Sequence, residues 1–76
     1  MDKGVIVVNV MPNTPAHLKG LRVGDIIVRA GGLEIKKPSD LRKAIEDKIE
    51  EEAIELEVIR GTIKYKVIVP IIVEAI

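Results

Sequence analysis

The chain holds one histidine, His17, and one serine, Ser39, so a Ser–His–acid relay would have to use both. Neither residue stands where that chemistry needs it. Ser39 lies between Pro38 and Asp40 at the head of a charged amphipathic segment, which is the place of an N-cap and not of a nucleophile on a strained strand-to-helix turn. His17 has no second histidine and no cysteine to share a metal with, and is read as a partly exposed residue on a short helix. Asp25 follows Gly24 and is explained as a turn acid that bonds nearby backbone N–H groups. Gly31-Gly32 lacks the other residues of a phosphate loop and reads as a turn. No catalytic set emerges, and the sequence calls for no metal and no cofactor.

Composition narrows the remaining classes. Seventy-six residues make one small domain, near the lower limit for folding without cross-links, and the absence of cysteine removes disulfides and thiolate metal sites. Twelve basic residues balance twelve acidic ones, which argues against a partner held by phosphate neutralisation, and Tyr65 alone cannot build a base-stacking surface. Nucleic acid is therefore not an expected partner. The apolar runs Val5–Val8 and Val67–Val73 are too short to span a bilayer, and no basic-then-apolar leader opens the chain. With neither phenylalanine nor tryptophan, the core must be aliphatic; abundant lysine, glutamate and isoleucine without glutamine lean toward a heat-adapted composition.

The elements that must position any site follow from apolar periodicity. Gly4–Val10 is predicted as a strand, residues 15–20 as a short helix, Asp25–Ala30 and Leu33–Ile35 as two further strands. A longer helix begins at Pro38-Ser39-Asp40, with Ser39 as its N-cap, and carries Leu41, Ala44, Ile45 and Ile49 on one face. Ala53–Arg60 and Ile63–Val69 alternate as two half-buried strands joined by Arg60-Gly61-Thr62, a hairpin in which glutamates face lysines. Pro70 is expected to interrupt the ladder, and Ile71–Ile76 to form one more edge strand.

Most informative is the run from Pro12 to Ile27, which packs a strand exit, one helical turn, a glycine turn and a new strand into sixteen residues. Thr14 is placed as an N-cap with Pro15 at the first helical position, and Gly20 ends the turn in a left-handed conformation. The order of Pro12-Asn13-Thr14-Pro15-Ala16, then Gly20-Leu21-Arg22-Val23-Gly24-Asp25-Ile26-Ile27, resembles the hallmark of PDZ domains of the bacterial and archaeal protease-associated kind. Gly4–Val8, Gly31–Ile35 and Asp40–Ile45 extend the resemblance over nearly the whole chain. Similar domains occur in high-temperature-requirement serine proteases, C-terminal processing proteases and site-2 metalloproteases.

The resemblance implies an α+β, PDZ-like fold: a small five- to six-stranded antiparallel sheet or partial barrel, one short and one longer helix, and a circularly permuted strand order. It implies a non-catalytic module that takes an extended or C-terminal peptide with an aliphatic end residue, lying between a sheet edge and the longer helix by strand addition. The groove is then expected at Leu41, Ile45 and Ile49, with Arg42 at the rim, and at Ile71 and Ile72 of the C-terminal segment. A loop of N–H groups for the peptide carboxylate is not evident; in similar protease-linked domains it often precedes the first strand, ahead of the residues of this chain. The alternative is that Val69-Pro70-Ile71-Ile72 takes its position, though without a glycine. Residues 1–76 are read as a piece of a larger protease-related protein, membrane-associated or secreted, whose protease domain is a further partner. The rival expectation is a structural or gating domain that self-associates through its C-terminal segment, its groove incomplete or self-blocked.

Overall fold

Where the chain must turn, glycine and proline set the boundaries, and the strands fill the intervals. The computed structural model describes residues 4–71. In order these are β1 (Val5–Ile6), α1 (Pro15–Leu18), β2 (Ile26–Ala30), β3 (Leu33–Glu34), α2 (Pro38–Lys48) with a 3-10 turn at Ile49–Glu51, β4 (Ala53–Arg60) and β5 (Ile63–Pro70). The strands form one antiparallel sheet in the order β1-β2-β4-β5, with β3 also paired to β2. β1 and β3 share one edge of β2: Val5 and Ile6 face Ile27 and Ile26, while Leu33 and Glu34 face Ala30 and Arg29. On its other edge β2 meets β4 with a register shift between Ile27 and Arg29, the mark of a bulge at Val28.

The expected alternation holds along β4 and from Tyr65 to Val69 of β5, whereas Ile63, beside the hairpin turn, is 59% exposed. Ile54, Leu56 and Val58 are buried, and they join Leu21, Ile27, Ala30, Ile35 and Ala44 in an all-aliphatic core. On the opposite face Glu57 bonds Lys64 at 3.2 Å across the hairpin and Arg29 at 3.1 Å on β2. α1 starts as expected, since the Thr14 hydroxyl accepts the His17 N–H, Pro15 is the first helical residue and Gly20 follows at φ +91°.

Several boundaries differ from the sequence reading. The first strand is far shorter than Gly4–Val10: after Ile6 only Val7 still bonds, to Asp25 and Gly24, and Val8 is 77% exposed. Its partner strand reverses at Gly24 (φ +95°), so the ladder has nothing further to pair with. Ser39 is not the cap of α2. Proline disfavours a helical residue before it, so Lys37 is extended and becomes the N-cap, Pro38 takes the first helical position, and Ser39 falls second. Asp40, third in the helix, then accepts the N–H groups of Lys36 (3.0 Å) and Lys37 (3.2 Å), which hold its carboxyl below the usual range. Pro70 does not interrupt the ladder but closes it, opposite Ala53; on an edge strand the missing N–H costs no central pairing. The further edge strand expected at Ile71–Ile76 lies outside the described residues beyond Ile71 itself.

Candidate functional site

The core is open on one side. Between α2 and the sheet lies a cleft of about 290 Å³ whose lining, among the described residues, is aliphatic. Leu41 and Ile45 form its α2 wall, one helical turn apart and both half-buried. Ile27, Ile54 and Leu56 of β2 and β4 form the floor together with Leu21, so residues of the buried core are themselves the cleft's surface. Ala16 of α1 closes one side, and Val69, Pro70 and Ile71 at the end of β5 close another. The Ile71 N–H donates to the Glu52 carbonyl at 2.8 Å and ties this last wall to the chain just beyond α2.

Of the sequence-predicted groove residues, Leu41, Ile45 and Ile71 come together in this lining. Arg42 is exposed on α2 and does not line the cleft. Ile49, 38% exposed, begins the 3-10 turn past the α-helical run and is likewise outside the lining. Ile72 lies outside the described residues. Leu21 and Ala16, whose signal was their place within the Pro12–Ile27 motif, were not among the predicted groove residues, nor were the floor residues Ile27, Ile54 and Leu56. Val69 and Pro70, read from sequence as a stand-in for the carboxylate loop, form a wall of the cleft.

Beneath the loop that carries Leu21 sits the one buried charge among the described residues. Asp25 is 1% exposed, and its two oxygens take the Arg60 Nε (2.7 Å) and Nη2 (2.8 Å) in a two-point contact. One of those oxygens also accepts the Arg22 N–H at 2.9 Å, and Arg60 Nη2 donates to the Gly20 carbonyl at 2.8 Å. The guanidinium lies 4.8 Å from the centre of the Tyr65 ring. Hydrogen bonding to Arg60, more than burial opposes it, holds the Asp25 carboxyl below its ordinary value, and the same bond raises Arg60. The turn role expected of Asp25 is present in its bond to Arg22; the partner from β4 is the part that no local pattern announced.

Among the described residues no titratable side chain lines the cleft, and those that do line it offer apolar surface and shape. Among the described residues no group of acids or histidine is placed to hold a metal ion. His17 is exposed on α1 and accepts the Asn13 N–H through Nδ1 (3.3 Å), while Ser39 is exposed at the start of α2.

A five-stranded antiparallel sheet, two helices and an aliphatic cleft opened beside the longer one define a small α+β binding module. The chain belongs to the PDZ family: the PDZ domain model matches residues 1–71. It is 36% identical over 58 residues to a serine protease, HhoA, of Synechocystis, covering 76% of this chain and 15% of HhoA. It is 31% identical over 64 residues to the cell division topological determinant MinJ of Bacillus subtilis, covering 84% of this chain and 16% of MinJ. Among solved structures, the HtrA3 PDZ domain bound to the phage-derived ligand FGRWV superposes with a TM-score of 0.81 at 31% identity, over 92% of this chain and 64% of that one. The chain thus spans about a sixth of the length of these curated relatives; as a PDZ domain similar to those of HtrA proteases, it is a peptide-binding regulatory module.

Proposed function

We propose that this domain recruits or senses an extended peptide with aliphatic side chains, preferring an aliphatic C-terminal residue, for a larger protease of the HtrA kind. The observation that carries this is the cleft walled by Leu41 and Ile45 and floored by residues of the core, with no polar reader among the described lining residues. Apolar surface of this kind is stabilised by whatever covers it, at roughly 25 cal/mol per Å² removed from water. A short strand-addition contact leaves about 8 kcal/mol of net binding free energy, which corresponds to micromolar affinity. Support for the peptide partner also comes from the HtrA3 PDZ domain, whose structure holds such a ligand. The parent is taken to be membrane-associated or extracytoplasmic, by analogy with relatives of this kind.

Titrating an isotope-labelled chain with a peptide ending in Phe-Gly-Arg-Trp-Val, free or amidated at its C-terminus, tests this reading. Shifts concentrated on Leu21, Leu41 and Ile45 are expected. No shift at millimolar peptide sinks it. A second reading is favoured by a separate observation, that Val69, Pro70 and Ile71 already wall the cleft. Under it the domain is a structural or gating unit that self-associates through the C-terminal segment from Ile71 and Ile72 onward. Sedimentation analysis across a hundredfold concentration range decides between a monomer and a self-pairing chain.

A further inference from the structure

We infer that Arg60, which touches no part of the cleft, is the positioning residue that sets the cleft's floor. Leu21 contributes a buried side chain, 8% exposed, from a loop with no strand or helix of its own. A loop side chain holds a fixed position only if its backbone is held. Here the backbone is held on both sides of Leu21 by one ion pair. The carbonyl before it, Gly20, accepts Arg60 Nη2 at 2.8 Å, and the N–H after it, Arg22, donates to Asp25 at 2.9 Å. Asp25 and Arg60 are themselves joined through two contacts at 2.7 and 2.8 Å. The Leu21 N–H in turn donates to the carbonyl of Ala16 at 3.1 Å, so the lining residue of α1 belongs to the same assembly.

Arginine is required by this geometry. Its planar fork satisfies both carboxylate oxygens and the Gly20 carbonyl at once while lying against Tyr65; an ammonium, a single point on a flexible stem, cannot meet all of them. Arg60 is the last residue of β4, whose Ile54 and Leu56 also floor the cleft. The clamp therefore ties the lining residue carried by the loop to those carried by the sheet. With the clamp released, Leu21 is free to swing away, and the ligand must then immobilise it, an ordering cost that lowers affinity.

This inference rests on the cleft being the ligand site, and its test has one arm that does not. In the full chain, Arg60→Met and Arg60→Lys are compared with the unaltered protein well below the melting temperature of each. Methyl relaxation dispersion reports on Leu21 and Ala16, with Ile35 as an internal control in the core. Affinity for a peptide ending in Phe-Gly-Arg-Trp-Val is measured alongside. Expected for Arg60→Met are microsecond-to-millisecond exchange at Leu21 and Ala16 but not at Ile35, and affinity lower by about tenfold, with Arg60→Lys between. Should Arg60→Met fail to fold, Arg60→Lys carries the test, because it keeps a charge opposite Asp25 but gives up the Gly20 bond. A variant that melts earlier while Leu21 stays as quiet as Ile35 and affinity is unchanged overturns the inference, leaving Arg60 a stability residue only. If Leu21 loosens but no protein in the series binds the peptide, the clamp stands and the peptide reading falls.

Discussion

Ile71 donates its N–H to the carbonyl of Glu52 at 2.8 Å, one step beyond the last ladder pair of Ala53 with Pro70. Glu52 itself is left-handed, at φ +61° and ψ +10°, and ends the 3-10 turn that follows α2. One backbone bond thus joins the exit of α2 to the wall of the cleft.

The conformation at Glu52 costs a side-chain-bearing residue about 1–2 kcal/mol, whereas glycine adopts it freely and gives back part of that gain in chain entropy. Glu52→Gly is therefore expected to stabilise the domain by about 0.5–1 kcal/mol. Urea unfolding should show a higher midpoint with an unchanged slope.

Gly4 predicts the opposite sign. It sits at φ +108°, and a β-carbon built there would approach Ile26 Cγ2 to 2.5 Å and the Ile27 carbonyl to 3.2 Å. Backbone strain and overlap together make Gly4→Ala destabilising by about 2 kcal/mol. Thermal unfolding checks it, and because β1 is a two-residue strand, amide exchange should show the loss first at Val5 and Val7.

Acid should weaken the fold through Asp25. Its carboxyl titrates lower in the folded chain than the ordinary value of 3.8, chiefly because Arg60 bonds the charged form. The folded state therefore binds fewer protons, and the stabilisation is complete above the unfolded value and lost as pH falls through it toward the folded one. Comparing the protein with Asp25→Asn isolates this contribution. The difference in melting temperature should stay constant from about pH 7 to pH 5 and shrink below about pH 4.

Ile45 and Leu41 are half-buried, so shortening them probes the cleft without emptying the centre of the core. Ile45→Ala is expected to lower peptide affinity by about tenfold, from loss of the apolar contact, and to destabilise by less than the 2–5 kcal/mol typical of a fully buried site. Arg42→Ala, an exposed residue outside the lining, serves as the control and should change neither by more than twofold. Isothermal titration paired with urea unfolding separates the two effects.

These residues also show how much the amino-acid order reveals. Leu41 and Ile45 were legible because helical spacing places them on one face, and β4 because Ile54, Leu56 and Val58 alternate with polar neighbours. Thr14 and Pro15 announced α1 through local chemistry alone. The end of β1 was not legible, since it depends on where β2 turns, some twenty residues on. Ser39 was a reasonable cap by residue type, but Pro38 decides the matter by constraining Lys37. Asp25 and Arg60 lie 35 positions apart, and no periodicity links residues joined only by the closure of the sheet.

The two margins of this sheet are unequally guarded. β5 exposes Lys64 and Lys66 and finishes on Pro70, a combination that repels a neighbouring chain and denies it a donor. β1 has neither lysine nor proline along Val5–Ile6, and Ile6 is exposed. Among the described residues, lateral growth into fibres is thus discouraged along β5, while β1 carries no such guard.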